Sequence, residues 1–183
     1  MHGTMEESKN IAAGQEDYTG YDPYIIKFVV VSIISLLIGT LMGVAQVFPP
    51  VIQWLVESGR AGHWIDPLAH AHINLVGGVT TGMMGLMYYL VPRLVKRPIY
   101  SQKLSNTAFW FSLVGIFGFF GFMVARGLYV GTLMHQGLSF QEANTGLVPG
   151  LMTLGVILSS ISMGFGYWGF ILSIWLTIFK KSK

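Results

Sequence analysis

Four stretches of this sequence run without a single charged side chain: Phe28 to Phe48, Pro67 to Pro92, Leu104 to Ala125 and Leu147 to Phe179. At about 1.5 Å per residue, each is long enough as a helix to cross a hydrocarbon core of about 30 Å. Lipid offers no hydrogen bonds to the backbone, and a helix satisfies its own groups within one segment. The expected fold is therefore all-α, a polytopic membrane protein with four transmembrane helices. Composition agrees with this reading. Only 10% of the 183 residues are charged, and the mean hydropathy is +0.58; soluble domains carry about 25% charged residues. The last run exceeds what one crossing needs. Its start near Pro149 and Gly150 is expected to stand above the membrane, or the helix to tilt.

The basic residues set a direction. Lys9, Lys27, Arg93, Lys96, Arg97, Lys103, Lys180, Lys181 and Lys183 fall on one set of connections, and only Arg60 and Arg126 on the other. Cytoplasmic loops hold the excess of Lys and Arg, so both termini are expected in the cytoplasm. The Pro49 to Asp66 and Leu128 to Gly146 connections are then outside, as four crossings require. The pI of 9.2 does not point to nucleic acid, because the cations are spread along membrane boundaries instead of clustered on a folded surface. With no cysteine, the chain has no disulfide framework, thiolate zinc site or cysteine-ligated iron–sulfur cluster. Any redox centre must use histidine or methionine. Residues 1–22 are polar and acid-rich (Glu6, Glu7, Glu16, Asp17, Asp22), unlike a cleaved signal peptide, and read as a flexible tail ahead of one membrane domain, residues 23–183.

The chemistry concentrates where the second span opens, Asp66-Pro67-Leu68-Ala69-His70-Ala71-His72. Asp66 suits a helix N-cap and Pro67 a first helical residue, since proline has no amide hydrogen to leave orphaned. His70 and His72 then lie roughly 6–9 Å along the helix, at the edge of the apolar layer or within it. Ionisable groups are costly there and mark function by default. At about 100° per residue, positions two apart diverge by about 200°, so these imidazoles serve opposite sides of the helix. One ion chelated from a single face is disfavoured. Gly77, Gly78, Gly82 and Gly85 follow, and Gly39 and Gly43 mark the first span; such residues admit either a neighbouring helix or a flat macrocycle.

The stretch AHAHINLVGGVTTGMMGLMYYLVPRL, which ends Tyr89-Leu90-Val91-Pro92-Arg93-Leu94, resembles the His-x-His helix of heme-copper oxidase subunit I. It is most similar to that of the C-family oxidases and the nitric oxide reductases, and short four-helix relatives also look similar. The resemblance implies that His70 ligates a high-spin heme and His72 a low-spin heme, one on each side of the helix. The copper site of the large enzymes needs three further histidines, two of them adjacent. This sequence has no His-His pair, its other histidines being His2, His63 and His135. A self-contained oxidase is therefore not expected.

The resemblance implies a membrane b-type heme protein, with one or two hemes, that transfers electrons in the respiratory chain of a bacterial or archaeal cytoplasmic (inner) membrane. His72 and His70 are the iron ligands. A six-coordinate heme needs a second axial ligand. The candidates are His63 or His135, a methionine such as Met42, Met123 or Met163, or a histidine from another respiratory-complex subunit or a second copy. Arg126, at the same outer level as the pair, suits heme propionates through bidentate hydrogen bonds. Trp64 and Tyr129 read as interface anchors. Two alternatives stand beside this: a five-coordinate heme module that binds nitric oxide or oxygen, and a heme-free structural subunit or copper handler using His63, His70 and His72. The topology is checked with alkaline phosphatase fusions, active only outside. A fusion after Lys183 is expected to be silent and one after Gly137 active; the reverse pattern would invert the assignment.

Overall fold

The computed structural model describes residues 22–180. The expected tail lies outside the described residues, apart from Asp22, which opens the first helix. The chain forms α1 (Asp22–Gln46), α2 (Pro49–Glu57), α3 (Gly59–Val95), α4 (Gln102–His135), α5 (Phe140–Ala143) and α6 (Leu147–Phe179). Four of these are long and apolar enough to cross a membrane: Tyr24–Gln46 within α1, then α3, α4 and α6. The protein is an all-helical, multi-pass membrane protein, and no strand occurs among the described residues.

The helices exceed the uncharged runs. Pro49 and Pro50 do not break the chain but start α2, because proline at the first helical turn forfeits no hydrogen bond. α3 is two helices joined at a kink: Asp66 alone is extended (φ −131°, ψ 122°), the backbone of an N-cap, and Pro67 opens the helical stretch that carries the histidines, as expected, while a further helical segment from Gly59 precedes the kink. α4 continues nine residues past Arg126 to His135. A single cation ends an uncharged run without ending helical hydrogen bonding. α5 carries a capping box, in which the Ser139 side chain accepts from the Glu142 amide and Glu142 Oε2 accepts from the Ser139 amide (2.9 Å) and hydroxyl (2.6 Å). Those two donors hold the Glu142 carboxyl below the ordinary carboxylate range. α6 has 33 residues, about 50 Å at 1.5 Å each, and so must tilt or overhang a 30 Å core, as expected from its sequence.

Packing relies on close approach, because lipid tails are as apolar as leucine and give helices no hydrophobic reason to associate. α1 and α3 are antiparallel and interlock. A Cβ on Gly85 would stand 2.8 Å from the Phe28 Cβ, one on Gly82 2.9 Å from the Ser32 hydroxyl, and one on Gly77 2.7 Å from that of Ser35. The Ser32 hydroxyl donates to the Gly78 carbonyl at 2.8 Å. The α3 glycines therefore serve the packing of α1. α4 and α6 form the most extensive pair, with Ser105, Ala108, Ser112 and Gly115 of α4 buried opposite Ser159, Gly166 and Ser173 of α6. Ser105 and Ser173 share a hydrogen bond of 2.9 Å. At that end all four spans meet in an aromatic core of Phe28, Tyr88 and Phe109, with Tyr24 and Phe170 packed around it.

Two glycines of α4 test this account. An added methyl on Gly115 would meet the backbone of Met163, whereas nothing lies within 4 Å of one on Gly121. Gly115→Ala is expected to destabilise the bundle by about 1–3 kcal/mol. Gly121→Ala is expected to be neutral or to gain up to about 1 kcal/mol of helix propensity. Thermal unfolding of the two variants in detergent checks the contrast; equal effects would refute the close-packed α4–α6 seam.

Candidate functional site

The histidines sit in an irregular part of α3. Trp64–Ala69 spans the kink at Asp66, wide turns with i→i+5 character occupy Ile73–Thr80, and the three residues His70–His72 between them are α-helical. Proline 67 has no amide hydrogen, so the ladder must slip there. The hydroxyls of Thr80 and Thr81 donate to the carbonyls of Leu75 and Val76, at 2.9 and 3.0 Å. These bonds satisfy acceptors that widened turns leave exposed, in a medium where no water could do so. Such bulges recur at functional sites.

The two imidazoles diverge as their spacing requires. His70 turns to α1, where its Nε2 stands 3.3 Å from the position a Cβ on Gly43 would take. Its Nδ1 lies 3.2 Å from Asp66 Oδ1, one helical turn back. The His70 side chain keeps 26% of its surface exposed. His72 turns to α4 and stacks on Phe119, ring centroids 4.1 Å apart and planes 30° from parallel. Phe119 covers the face of that ring, not its edge. His72 Nε2 is buried and has no hydrogen-bond partner. Asn74 belongs to the same site: its amide donates to the His70 carbonyl at 3.1 Å, and its side chain fills the space above Gly39. Sequence reasoning passed over Asn74, although an amide four residues beyond a histidine in an apolar span was the available signal.

Arg126 lies on α4, seven residues beyond Phe119. Its Nη2 donates to Asn144 Oδ1 at 3.0 Å, its guanidinium lies 4.0 Å from the Trp64 ring centroid, and its buried Nε has no partner. Trp64 is thus a stacking platform for the arginine, beyond any anchoring role. His63 is exposed and borders a small hollow with Gln46, Asp66 and Pro67. His135 joins α4 to α2: it stacks on Trp54 (5.4 Å, 17°), its Nε2 lies 3.2 Å from the Ser58 hydroxyl, and its Nδ1 is 3.8 Å from Glu57. Sixteen residues separate His135 from Phe119 on one helix, about 24 Å. Neither histidine is brought to His72. Among the described residues no three His, Cys, Asp or Glu side chains converge on a common metal position.

An imidazole with a buried, unpartnered Nε2, stacked on one aromatic ring in a membrane helix, is a donor that a heme iron takes. His72 fits that group by its orphaned nitrogen. His70 shares that donor chemistry, but its Nε2 already occupies the notch at Gly43.

Residues 15–161 match the family described as cytochrome c and quinol oxidase polypeptide I. Over 38 residues, a fifth of this chain, the sequence is 53% identical to cytochrome c oxidase subunit 1 of Rhodobacter capsulatus. Over stretches of the same length it is 50% identical to a cytochrome c oxidase subunit 1 homolog of Agrobacterium tumefaciens (strain T37) and to a cbb3-type cytochrome c oxidase subunit of Stutzerimonas stutzeri. These stretches span only 7–8% of the relatives' own lengths. The family match covers most of the chain, and the protein belongs to the heme-copper oxidase subunit I family.

Proposed function

We propose that this chain is a b-type heme protein of a bacterial or archaeal cytoplasmic membrane, which passes electrons as one subunit of a larger respiratory assembly. The observation that carries the reading is the buried, unpartnered Nε2 of His72. A polar atom left unpaired in an apolar interior costs about 1–3 kcal/mol, and iron coordination removes that penalty. When bound, heme supplies one-electron redox chemistry. His72 holds the iron, Phe119 fixes the plane of the imidazole, and the closely packed spans keep water from it.

Arg126 supplies a cation on α4, about 10 Å along the helix from Phe119, with an unpaired Nε suited to a propionate. His70 is the candidate ligand for a second heme on the α1 side. Both of its ring nitrogens already face neighbours, Asp66 and Gly43, which favours one heme on His72 over two. The other axial ligand comes from a partner subunit or a second copy, since His135 is held by Trp54 and Ser58 and His63 is exposed beside the hollow at Pro67. Within the chain, Met123 is a buried thioether one turn beyond Phe119. The single orphaned ring nitrogen also supports a second reading, a five-coordinate heme that takes up nitric oxide or oxygen. Carbon monoxide added to the reduced protein separates the two: an unchanged low-spin spectrum is expected, and a shifted one would favour the open site.

His72→Ala is expected to abolish the low-spin heme spectrum of the purified complex, while His135→Ala leaves the chain inserted and the spectrum intact. Full retention of the spectrum by His72→Ala, or stoichiometric copper without iron in the native protein, would overturn the assignment. Arg126→Leu removes a cation that disfavours the oxidised, more positive heme. Its midpoint potential is expected to fall by roughly 50 mV, a tenfold change in a one-electron equilibrium being about 59 mV; no shift in a redox titration would remove Arg126 from the heme's surroundings.

A further inference from the structure

Charge is divided unequally between the two ends of the bundle. Of the acidic residues that the structure describes, Glu57, Asp66 and Glu142 lie at the end that holds His135, and only Asp22 at the other. That other end carries Lys27, Arg93, Lys96, Arg97, Lys103 and Lys180. Lys27 is held by Asn106 Oδ1 at 2.8 Å, and the Arg93 guanidinium lies 3.5 Å from the Tyr89 ring centroid. Arg97 and Lys180 are drawn together without any carboxylate. α3 closes with Lys96 in the left-handed region (φ 52°), and the Arg97 amide donates back to the Pro92 carbonyl at 3.0 Å. The connection that follows is tied across the end of α6. There the Tyr100 amide donates to Thr177 Oγ1 at 3.1 Å, Arg97 Nη1 approaches the Lys180 carbonyl at 3.5 Å, and Lys180 Nζ donates to the Tyr100 hydroxyl at 2.7 Å. Among the described residues neither cation has an acidic partner.

We propose that Arg97, Lys180 and the Tyr100 hydroxyl bind the phosphodiester of one anionic glycerophospholipid in the leaflet on that side. Like charges held at one place repel, and an anion between them removes that cost. The guanidinium fork matches two phosphate oxygens, and the ammonium adds a point charge. The Tyr100 oxygen accepts from Lys180, so its own proton is left to donate to the phosphate. These groups stand where the spans α3, α4 and α6 end, at the level where hydrocarbon gives way to headgroups. Basic pockets between spans at that level bind anionic headgroups. Trp175 and Phe179, exposed in the last turns of α6 with ring centroids 4.5 Å apart, offer the acyl chains an apolar surface beside it. A phosphocholine brings a cation of its own to a place that already holds two, so the occupant is anionic. An excess of cations orients a membrane protein by number alone; a binding site depends on which of them are neutralised. Neither His72 nor heme takes part.

The full-length chain, purified in detergent and freed of lipid, is titrated with phosphatidylglycerol and with phosphatidylcholine of the same acyl chains, and bound lipids are counted by native mass spectrometry. The first phosphatidylglycerol is expected to bind roughly 10–30-fold more tightly than the first phosphatidylcholine, each cation beside the phosphate contributing about fivefold. The double variant Arg97→Gln, Lys180→Gln is expected to lose that preference. Should it also lose its helical circular dichroism, Lys180→Gln alone, at the exposed end of α6, is expected to lose about fivefold. Lys96→Gln with Lys103→Gln removes as much charge from exposed residues of the same face and is expected to keep most of the preference. Equal losses in the two double variants would reveal a diffuse field in place of a site and overturn the proposal. An excess of inorganic phosphate is expected to leave the phosphatidylglycerol bound; its displacement would make the phosphate ion the ligand and the lipid assignment wrong. Equal binding of both lipids by the unaltered chain would also overturn it, and is the result expected if acidic residues of the chain itself, such as Glu16 and Asp17, neutralise the pair.

Discussion

The seam between α1 and α3 determines where every other group in this protein can lie. It works by exchange: glycines of α3 at 77, 78, 82 and 85 receive side chains of α1, and glycines of α1 at 39 and 43 receive Asn74 and His70 of α3. In lipid such shape matching replaces the hydrophobic effect as the source of helix affinity. Once His70 occupies the notch at Gly43, the helical repeat leaves His72 only the opposite direction, toward α4. α4 in turn is held by its own small-residue seam with α6. The orientation of the candidate ligands thus follows from packing several turns away along the spans.

Much of this was legible in the sequence because its causes are local. Charge-free runs mark the spans, since no charged side chain sits cheaply in hydrocarbon. The spacing of His70 and His72 states their divergence before any partner is known. The helix ends were less legible. Arg126 interrupts an uncharged run, yet α4 continues to His135, because a helix that leaves the apolar layer needs no apolar side chains to keep its hydrogen bonds. Pro49-Pro50 and Asp66-Pro67 read alike as boundaries. The first opens α2; the second opens the stretch that carries the histidines, behind a separate helical segment that runs from Gly59 to the kink. The α3 glycines were open to two readings, and only the position of α1 shows which side chains enter them. Asn74, Trp64 beneath Arg126, and Trp54 against His135 are contacts across helices, which no one-dimensional pattern contains.

The irregular turns around the histidines are the other feature that propensity does not give. An unbroken α-helix from Gly59 to Val95 would place each carbonyl against its own ladder and leave the threonines idle. Widened turns after His70–His72 free the carbonyls of Leu75 and Val76, and Thr80 and Thr81 answer them from five residues ahead. Both threonines are cheap residues for a membrane helix, being small and able to bond back to the backbone. The bulges rotate the flanking turns relative to the pair. The seam with α1 and the contact with α4 can then be met together.

The two imidazoles are chemically unequal, and this bears on any iron they hold. His70 has a carboxylate behind it: with the ring proton on Nδ1, donation to Asp66 makes Nε2 a more basic donor, and a more basic ligand stabilises the higher oxidation state of a metal. His72 has no carboxylate among its described contacts and lies against Phe119, an apolar ring. A low-dielectric setting without compensating negative charge disfavours the more positive, oxidised iron. Of two hemes on opposite sides of α3, the one on His72 would therefore be the easier to keep reduced. The asymmetry originates in a single residue four positions before His70, at the kink where α3 bends.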